Sequence, residues 1–278
     1  MPDLTKADAH FDFGANWQRF VDKMDVEALD EAERGLLKLI PANRLEGATF
    51  LDIGSGSGLH ALAAKRLGAR VTAIDIDKNS VEATRKLLGT GADVRQLSIL
   101  ESHGLGRFDI VYSWGVLHHT GAMWRAIDSA AALVKPGGLL VLALYQRTPF
   151  CGFWKVEKRL YTAAPRPARA VIRALYTAAL LSRQALAGKD PFSYVKNYKA
   201  ARGMDFFTDV HDWLGGYPYE SVDPADLMEH VGKLGFTPVV EHALPKSIGV
   251  FGAGCCEFTL RREPWRAGSA VMARHRAQ

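Results

Sequence analysis

Short apolar runs alternate along the chain with longer segments in which apolar residues recur every three or four positions. Five runs of strand length precede residue 146, namely TFLDIG, RVTAIDID, DVRQLSI, FDIVYSWG and GLLVLALY. Helical segments separate most of them, namely LHALAAKRLG, NSVEATRKLL and MWRAIDSAAALV. Strands spaced by helices of this length are typical of a parallel sheet with right-handed crossovers. The pattern therefore predicts an α/β fold.

Local signals predict where several of these elements begin and end. A helix near residues 25–40 should end at Pro41, because proline cannot continue a helix. Asn79 or Ser80 should cap the helix NSVEATRKLL. The sequence KPGG should form a turn in front of the fifth strand.

The alternation stops at about residue 147 and resumes at about residue 220. The resumed part contains a helix, DPADLMEHVGKLG, and two strands, FTPVVEHAL and CCEFTLRR, which are close enough to pair as a hairpin. The intervening part has a basic, alanine-rich half and an aromatic half. We therefore divide the chain into an N-terminal cap (1–47), a core (48–146 and 221–262), an inserted lid (147–220) and a basic tail (263–278).

Composition narrows the functional classes. The chain has 278 residues, of which 48% are hydrophobic and 23% charged, as in ordinary soluble proteins. No signal peptide opens the sequence, and the longest apolar runs are too short to cross a bilayer. The three cysteines fit neither a disulfide framework nor a zinc site, so we expect a cytoplasmic protein without a bound metal.

Charge is concentrated in the first half of the insertion. Residues 147–183 contain eight basic residues and a single acid, Glu157, within a net charge of +5 for the chain. Such a segment suits peripheral contact with an anionic membrane surface, and it is equally compatible with a solvated helix face. No RNA-binding module or N-P-P-Y tetrad is present, so we do not expect a nucleic-acid substrate. The sequence makes no prediction of oligomeric state.

A glycine-rich loop follows the first strand. Gly54, Gly56 and Gly58 permit positive φ angles and let a ligand lie directly against the main chain. Asp75, 19 residues after Gly56, comes at the end of the second strand, where a carboxylate can accept hydrogen bonds from both hydroxyls of a ribose. The two features together predict a nucleoside-like ligand.

Two classes of nucleoside cofactor fit this arrangement. GSGLHA satisfies the dinucleotide pattern G-x-G-x-x-A, but Asp52 would then face a pyrophosphate of like charge. The chain also lacks an obvious second catalytic domain, and its closing hairpin replaces a sixth parallel strand. A cationic sulfonium with a free amino group would instead be attracted to Asp52.

At these motifs the chain resembles the class I S-adenosylmethionine-dependent methyltransferases. The matching segments are LDIGSGSG, IDID, SIL, FDIVYSWGVLHH and LVKPGGLLVLALY, in the order of the family. The LHH sequence is most similar to quinone and small-molecule methylases. The resemblance implies a Rossmann-like, seven-stranded, mostly parallel sheet with an antiparallel last strand and a helical, aromatic lid insertion. It also implies S-adenosylmethionine as the cofactor.

The resemblance further implies which residues contact the cofactor. Those at its amino acid end would be Asp52, Gly54, Gly56, Gly58, Ser113 and Trp114, and those at its nucleoside end Asp75, Ile76, Ser98 and Ile99. Ser98 departs from the family, in which many members have an aspartate that accepts the adenine amino group. Asn16 and Trp17, in the aromatic lead-in FDFGANWQRF, would cover the cofactor, unless that segment packs against the insertion without ligand contact.

The catalytic demands on the protein are small, because a sulfonium methyl group is already activated. A hydroxyl acceptor would need a general base, and His118 and His119 follow the fourth strand. Either histidine could instead pack against the cofactor or cap the next helix. His211 and Asp212, in the aromatic half of the insertion, are alternative candidates for the base or a substrate anchor. The aromatic half could equally form a small satellite core.

The sequence leaves three functional classes open. The first is a methyltransferase acting on a small-molecule acceptor. The second is an enzyme that cyclises the aminobutyrate chain of the same cofactor and releases methylthioadenosine, since the binding motifs would be identical. The third is a binding protein with a vestigial site.

Overall fold

The computed structural model describes residues 26–198 and 205–264. The strands are β1 (Thr49–Ile53), β2 (Arg70–Asp75), β3 (Asp93–Gln96), β4 (Phe108–Trp114), β5 (Val134–Tyr145), β6 (Phe236–His242) and β7 (Cys255–Arg262). The helices are α1 (Val26–Leu39), α2 (Leu59–Arg66), α3 (Lys78–Leu88), α4 (Met123–Ala132), α5 (Cys151–Ala163), α6 (Arg166–Leu186), α7 (Pro191–Lys196), α8 (Phe206–Gly215) and α9 (Pro224–Lys233). Asn16, Trp17 and the tail from residue 265 onward lie outside the described residues.

All seven strands belong to one sheet, in the order β3-β2-β1-β4-β5-β7-β6. Strands β1 to β5 pair in parallel, whereas β7 is antiparallel to both β5 and β6. The predicted fold class, with its closing antiparallel strand, is therefore confirmed. The strand order reverses between β1 and β4, and ligands of open α/β sheets bind at such a reversal.

Helices cover both faces of the sheet. On one face, Leu51 and Ile53 pack in a cluster with Ile127 of α4 and Leu227 of α9. On the other face, a cluster joins α1 and α2 to the sheet; it includes Leu36, Ala63, Phe50, Ile110 and Tyr112. A strand that is covered on both faces consists almost entirely of apolar residues, which explains the runs seen in the sequence.

Two predicted boundaries differ from the structure. Asp77, rather than Asn79 or Ser80, caps α3, because its extended backbone lets the carboxylate accept a hydrogen bond of 2.9 Å from the Ser80 amide. The KPGG sequence lies inside β5 rather than in front of it. Val134 already pairs with Phe108, and an irregularity in the register absorbs the glycines.

In its described residues, 147–198 and 205–220, the insertion between β5 and α9 contains four helices around a small core of its own. Its buried members are Trp154, Tyr161, Phe206, Val210, Leu214 and Tyr219. Phe192 and Phe207 are instead exposed, by 86% and 59%. The aromatic half of the insertion is thus the satellite core that the sequence left open. Its boundaries and its closure over a ligand stay predictions.

The helices in the described ranges include none that is both long enough and apolar enough to serve as a membrane span.

Asp109 connects three strands at the amino edge of the sheet. Its Oδ2 accepts hydrogen bonds from the Thr49 amide at 2.9 Å, the Thr49 hydroxyl at 2.6 Å and Lys135 Nζ at 2.9 Å. Partial burial raises the pKa of this carboxyl, but the bonds from Thr49 and Lys135 outweigh that effect and lower the pKa to about 2. The ionised form of Asp109 therefore stabilises the fold above the ordinary aspartate pKa of 3.8, and this stabilisation is lost as the pH falls towards 2.

We expect Asp109→Asn to lower the free energy of unfolding at pH 7 by about 1–2 kcal/mol, because the amide replaces one charged acceptor of three bonds. Urea denaturation would measure the change. Asp128→Asn is the matched control, since Asp128 pairs with the partly exposed His230 at the surface. Equal losses in the two variants would contradict the role given to Asp109.

Candidate active site

The glycine loop lies at the carboxyl edge of the sheet, where the strand order reverses. Gly54 has a φ of +72°, and a Cβ on it would lie 2.3 Å from Cγ1 of Val116. The loop after β4 therefore packs directly on the loop after β1, and only glycine fits between them. This contact brings the segment that carries His118 and His119 beside the predicted cofactor loop.

The same loop is fastened to α3 through Thr84. Gly58 has a φ of +82°, and a Cβ there would lie 2.9 Å from Cα of Thr84. The Thr84 hydroxyl is 3.0 Å from the Ser55 hydroxyl and donates to the Gly56 carbonyl at 3.3 Å. The loop is thus held in place by the protein itself, as a preformed ligand cradle requires.

Asp75 lies at the end of β2, as predicted, and is partly exposed. Its two carboxylate oxygens accept hydrogen bonds of 2.9 Å from the amides of Gly56 and Asp77. Each oxygen has a second lone pair, so the carboxylate can still accept from two hydroxyls. Burial raises the pKa of Asp75 to about 6 against the lowering effect of those amides.

Asp52 is the most unusual group at this edge. Its side chain is 3% exposed, and no hydrogen-bond partner for its Oδ2 exists among the described residues. Burial, and then the charge of Asp75, raise its pKa to about 7, although the Ala61 amide lowers it. A buried acceptor without a partner is costly, so a ligand that supplies a donor is its natural explanation. An ammonium group would satisfy both the hydrogen bond and the charge.

The residues that the sequence predicted to contact the nucleoside differ in how exposed they are. Ile76 is 37% exposed beside Asp75, where it can pack on a flat ring. The Ser98 hydroxyl accepts a hydrogen bond from the Leu100 amide and so caps a short turn. Ile99 is 4% exposed and packs in the core, so a contact of this residue with adenine would be made through its backbone and stays a prediction.

The residues predicted near the methionine portion also differ from one another. Ser113 is 1% exposed, and its hydroxyl donates to the Ile53 carbonyl, which ties the ends of β1 and β4 together. Its side chain is therefore structural. Trp114 is 43% exposed, and its indole donates to Glu257 at 3.0 Å. Trp114 remains available to line a ligand site.

Sequence reasoning missed His60. Its ring lies 5.9 Å from that of Trp114 and 5.4 Å from that of Tyr112, in the first turn of α2. Burial lowers the pKa of His60 to about 4, against the opposing charge of Glu257. Its position directly after the glycine loop was the available signal, but its partners come from distant parts of the chain.

His118 is fully buried, which excludes it as a base that meets the substrate. Its Nδ1 accepts from the Tyr145 amide at 3.3 Å, and its ring stacks on that of Tyr145 at 3.9 Å. Burial, with the charges of His119 and Lys158, lowers the pKa of His118 well below its usual value. The structure therefore gives no support to the prediction that His118 serves as the base, because its ring is closed off from solvent.

His119 is partly exposed and firmly oriented. Its Nδ1 lies 2.7 Å from the Pro218 carbonyl. A carbonyl can only accept, so Nδ1 carries the proton, and Nε2 is the acceptor nitrogen of the neutral ring. Gly216 packs so closely that a Cβ there would lie 2.8 Å from Cε1 of His119.

The segment that orients His119 connects α8 to α9. Besides Gly216 and Pro218, it contains Glu220, whose amide donates to the His118 carbonyl at 2.9 Å. The Glu220 carboxylate also accepts from the Met123 amide at 2.9 Å, at the start of α4. Residues 216–220 therefore hold the turn that carries His119 in place through hydrogen bonds to His118, His119 and the start of α4.

His211 and Asp212, the alternative candidates for the base or a substrate anchor, both lie on α8. Nδ1 of His211 lies 2.7 Å from the Tyr161 hydroxyl and 3.3 Å from Nη1 of Arg173, among the helices of the insertion. His211 thus joins α8 to α5 and α6, and the structure gives no support to its use as a base. Asp212 lies one turn before Gly216, with its carbonyl accepting from the Gly216 amide at 3.0 Å.

Comparison with known proteins shows which family this part of the chain resembles. Residues 51–142 match the family described as a methyltransferase domain. Over 113 residues the chain is 40% identical to a ubiquinone biosynthesis O-methyltransferase of Xanthomonas axonopodis pv. citri. The aligned part covers 38% of this chain and 47% of that relative. Residues 51–142 therefore carry a methyltransferase domain, which is similar to those of the class I S-adenosylmethionine-dependent enzymes. The chain spans about half the length of the curated relatives that it matches.

Solved structures share the fold of this methyltransferase domain. Rickettsia typhi PKMT2, in complex with AdoHcy, has a TM-score of 0.54 at 16% identity and covers 80% of this chain and 50% of that chain. A magnesium protoporphyrin IX methyltransferase from Synechocystis PCC 6803, with bound SAH, has a TM-score of 0.50 at 16% identity. The match covers 86% of this chain and 84% of that chain. At these identities the structures support the architecture alone.

The residues of the methyltransferase domain fit S-adenosylmethionine. The partnerless oxygen of Asp52 suits the ammonium group of the cofactor, and the glycine loop leaves bare main chain beside it. Asp75 can accept from ribose hydroxyls, and Ile76 offers an apolar surface to a base. These four features lie at the carboxyl ends of β1 and β2 and in the loops that follow them.

We expect Asp52→Asn to stabilise the cofactor-free protein at pH 8 by about 1–3 kcal/mol. A carboxyl whose folded pKa is raised from 3.8 to about 7 costs stability as the pH rises through that interval, since each pKa unit is worth about 1.4 kcal/mol. The amide stays partly unsatisfied, which reduces the gain. Thermal and urea unfolding at pH 8 and pH 5 would measure it, and the difference should shrink at pH 5.

Asp30→Asn is the matched control, because Asp30 is exposed on α1 and distant in sequence from the loop. It should leave the stability unchanged at both pH values. A destabilised Asp52→Asn protein at pH 8 would show that Asp52 has a partner within the fold, and the cofactor assignment would lose its main support.

Proposed function

We propose that this chain transfers the methyl group of S-adenosylmethionine to a hydroxyl group of a small molecule at the carboxyl edge of β1 and β4. The observation that carries the proposal is the buried Oδ2 of Asp52, which lies beside a glycine loop and has no hydrogen-bond partner in the part of the chain that the structure describes. A cationic amino acid end explains this oxygen, and a pyrophosphate does not. The 40% identity to an O-methyltransferase over 113 residues supports the same chemistry.

The first task of the protein is to hold the donor. Asp52 would bind its ammonium group and Asp75 its ribose hydroxyls, with Ile76 against the adenine and Trp114 near the methionine portion. The glycine loop would let the donor lie against the backbone of residues 54–58. Bound there, S-adenosylmethionine supplies an activated methyl group, so the remaining demand on the protein is alignment of the acceptor.

The second task is to remove the proton of the acceptor hydroxyl, which we assign to Nε2 of His119. The Pro218 carbonyl fixes the tautomer in which Nε2 accepts, and it stabilises the imidazolium that forms when the proton arrives. The contact between Gly54 and Val116 brings this turn beside the donor loop. Asp212, one turn from Gly216, stays a candidate substrate anchor.

The third task is to exclude water. The insertion helices α5 to α8 connect directly to the segment that orients His119, so a movement of the insertion would be transmitted to the base. Asn16 and Trp17 stay proposed cover residues, with the truncation of residues 1–22 as their test. Deletion of such a cover should reduce turnover without unfolding the sheet.

Cyclisation of the cofactor has no specific support. The matching domain family and the similar O-methyltransferase point to methyl transfer, and the oriented His119 suits the removal of an acceptor proton. Incubation with S-adenosylmethionine alone and with a panel of phenols separates the two reactions. Adenosylhomocysteine with a methylated phenol supports methyl transfer; methylthioadenosine from the cofactor alone supports cyclisation and contradicts the proposal.

We expect His119→Ala to lower kcat for the accepted phenol by about 10²–10⁴-fold, the usual contribution of a general base. The affinity for S-adenosylmethionine should change by less than about twofold, because His119 is assigned to the acceptor and not to the donor. Steady-state kinetics and calorimetry would measure the two quantities.

His230→Ala provides the matched control, since His230 lies on α9 and pairs with Asp128 at the surface. Its kcat should equal that of the wild type. A His119→Ala enzyme with the wild-type kcat and the wild-type pH profile would remove His119 from the mechanism.

A further inference from the structure

Helix α6 is 21 residues long, and none of its residues is buried. One side rests on the satellite core through Ile172, Tyr176 and Leu180. The opposite side is nevertheless apolar; its exposed members include Ala170, Val171, Ala174, Leu175, Ala178, Ala179, Ala185 and Leu186. A surface helix of a globular domain normally presents polar residues to water. This helix is apolar on both sides.

Helix α5 repeats the pattern. Phe153, Val156 and Leu160 recur at intervals of three and four, so they lie on one face, and they are 57%, 59% and 64% exposed. On α6, Val171 is 58% exposed and Leu175 67%. Exposed apolar side chains of this size, collected on neighbouring elements, mark a surface that binds something.

The exposed apolar residues of the two helices lie on the sides that face away from a shared core, and we call them together the outer apolar face. Trp154 and Tyr161 of α5 and Ile172 and Tyr176 of α6 pack into the same core cluster. The Arg169 side chain also donates to the Thr162 and Ala164 carbonyls and so holds the two helices together. Since both helices turn their inner sides to one core, their outer sides face away from it together.

The exposed charge around the outer apolar face is mainly positive, since the one acid of α5, Glu157, has both carboxylate oxygens buried. No aspartate or glutamate occurs from Lys158 to Lys189. The exposed basic residues that flank the face are Lys155, Arg159, Arg166, Arg183 and Lys189. Apolar side chains with a basic rim match a lipid surface that carries negative headgroups.

We propose that the outer apolar face binds an anionic lipid surface, with α5 and α6 lying in the plane of the interface. Apolar side chains such as Leu175 and Phe153 enter the acyl boundary, and the basic rim meets the headgroups. A second copy of this chain fits the face poorly, because it would bring the same basic rim against itself with no acidic residue in that segment to pair with it. The proposal does not depend on the reaction that the domain catalyses.

Flotation of the full chain with vesicles tests it. One set of vesicles contains phosphatidylcholine with about 30% phosphatidylglycerol, and the other contains phosphatidylcholine alone. We expect binding to the anionic vesicles at about 50 mM salt, and binding at least about tenfold weaker at 0.5 M salt or on neutral vesicles, because salt screens the basic rim.

Leu175→Glu with Val156→Glu should weaken binding to the anionic vesicles by at least about tenfold, since both apolar side chains would be replaced by charges. Val239→Glu is the matched control; Val239 is 49% exposed on β6, away from the insertion, and its substitution should leave binding unchanged. Circular dichroism should show that all variants are folded.

Two results would overturn the proposal. The first is a wild-type chain that does not bind anionic vesicles at low salt. The second is a wild-type dimer, measured by light scattering, that Leu175→Glu converts to a monomer while vesicle binding is absent. That second result would assign the face to another copy of the chain.

Discussion

A buried carboxylate, one oxygen of which has no hydrogen-bond partner among the described residues, is the constraint on which the candidate site depends. Asp52 is 3% exposed, and its pKa is raised to about 7 by burial and by Asp75. A sheet edge that was selected only for stability would have an apolar or amide side chain there. The loop around Asp52 has a comparable cost, since Gly54 and Gly58 hold left-handed backbone that no other residue adopts easily. Both costs are understandable if a cationic nucleoside completes the site.

The base is positioned by a part of the chain that does not belong to the sheet. His119 follows β4, but its orientation comes from Gly216 and Pro218, at the junction between the insertion and α9. The insertion therefore has two sides with separate uses. Its inner side ends in the segment that fixes the base, while its outer side presents the apolar face. A conformational change of α5 or α6 at a lipid surface would have a direct route to His119.

The strands and the cofactor loop could be predicted from the sequence because their signals are local. The run TFLDIG followed by three glycines, and an acid at the end of the next strand, needs no knowledge of distant residues. Residues whose role depends on distant partners could not be predicted. His118 and His119 are adjacent in the sequence, yet only packing against Tyr145 and Pro218 decides that the first is buried and the second oriented. His60 was missed for the same reason, as its neighbours come from β4 and β7. Histidine is a residue type that often acts in catalysis, but the contacts of His211 with Tyr161 and Arg173 are internal to the insertion.

The role of Asp52 can be measured through the number of protons released when S-adenosylmethionine binds. Calorimetric titrations at pH 6.5, in two buffers with different enthalpies of ionisation, give this number. At pH 6.5, below its pKa of about 7, the Asp52 carboxyl is mostly protonated in the free protein. An ammonium partner would force it to ionise. We expect release of between about half and one proton per cofactor, and at most about a quarter of a proton from the Asp52→Asn protein, in which Asp75, with a pKa of about 6, is the remaining source. Binding by the wild-type protein without proton release would show that Asp52 does not receive the ammonium group.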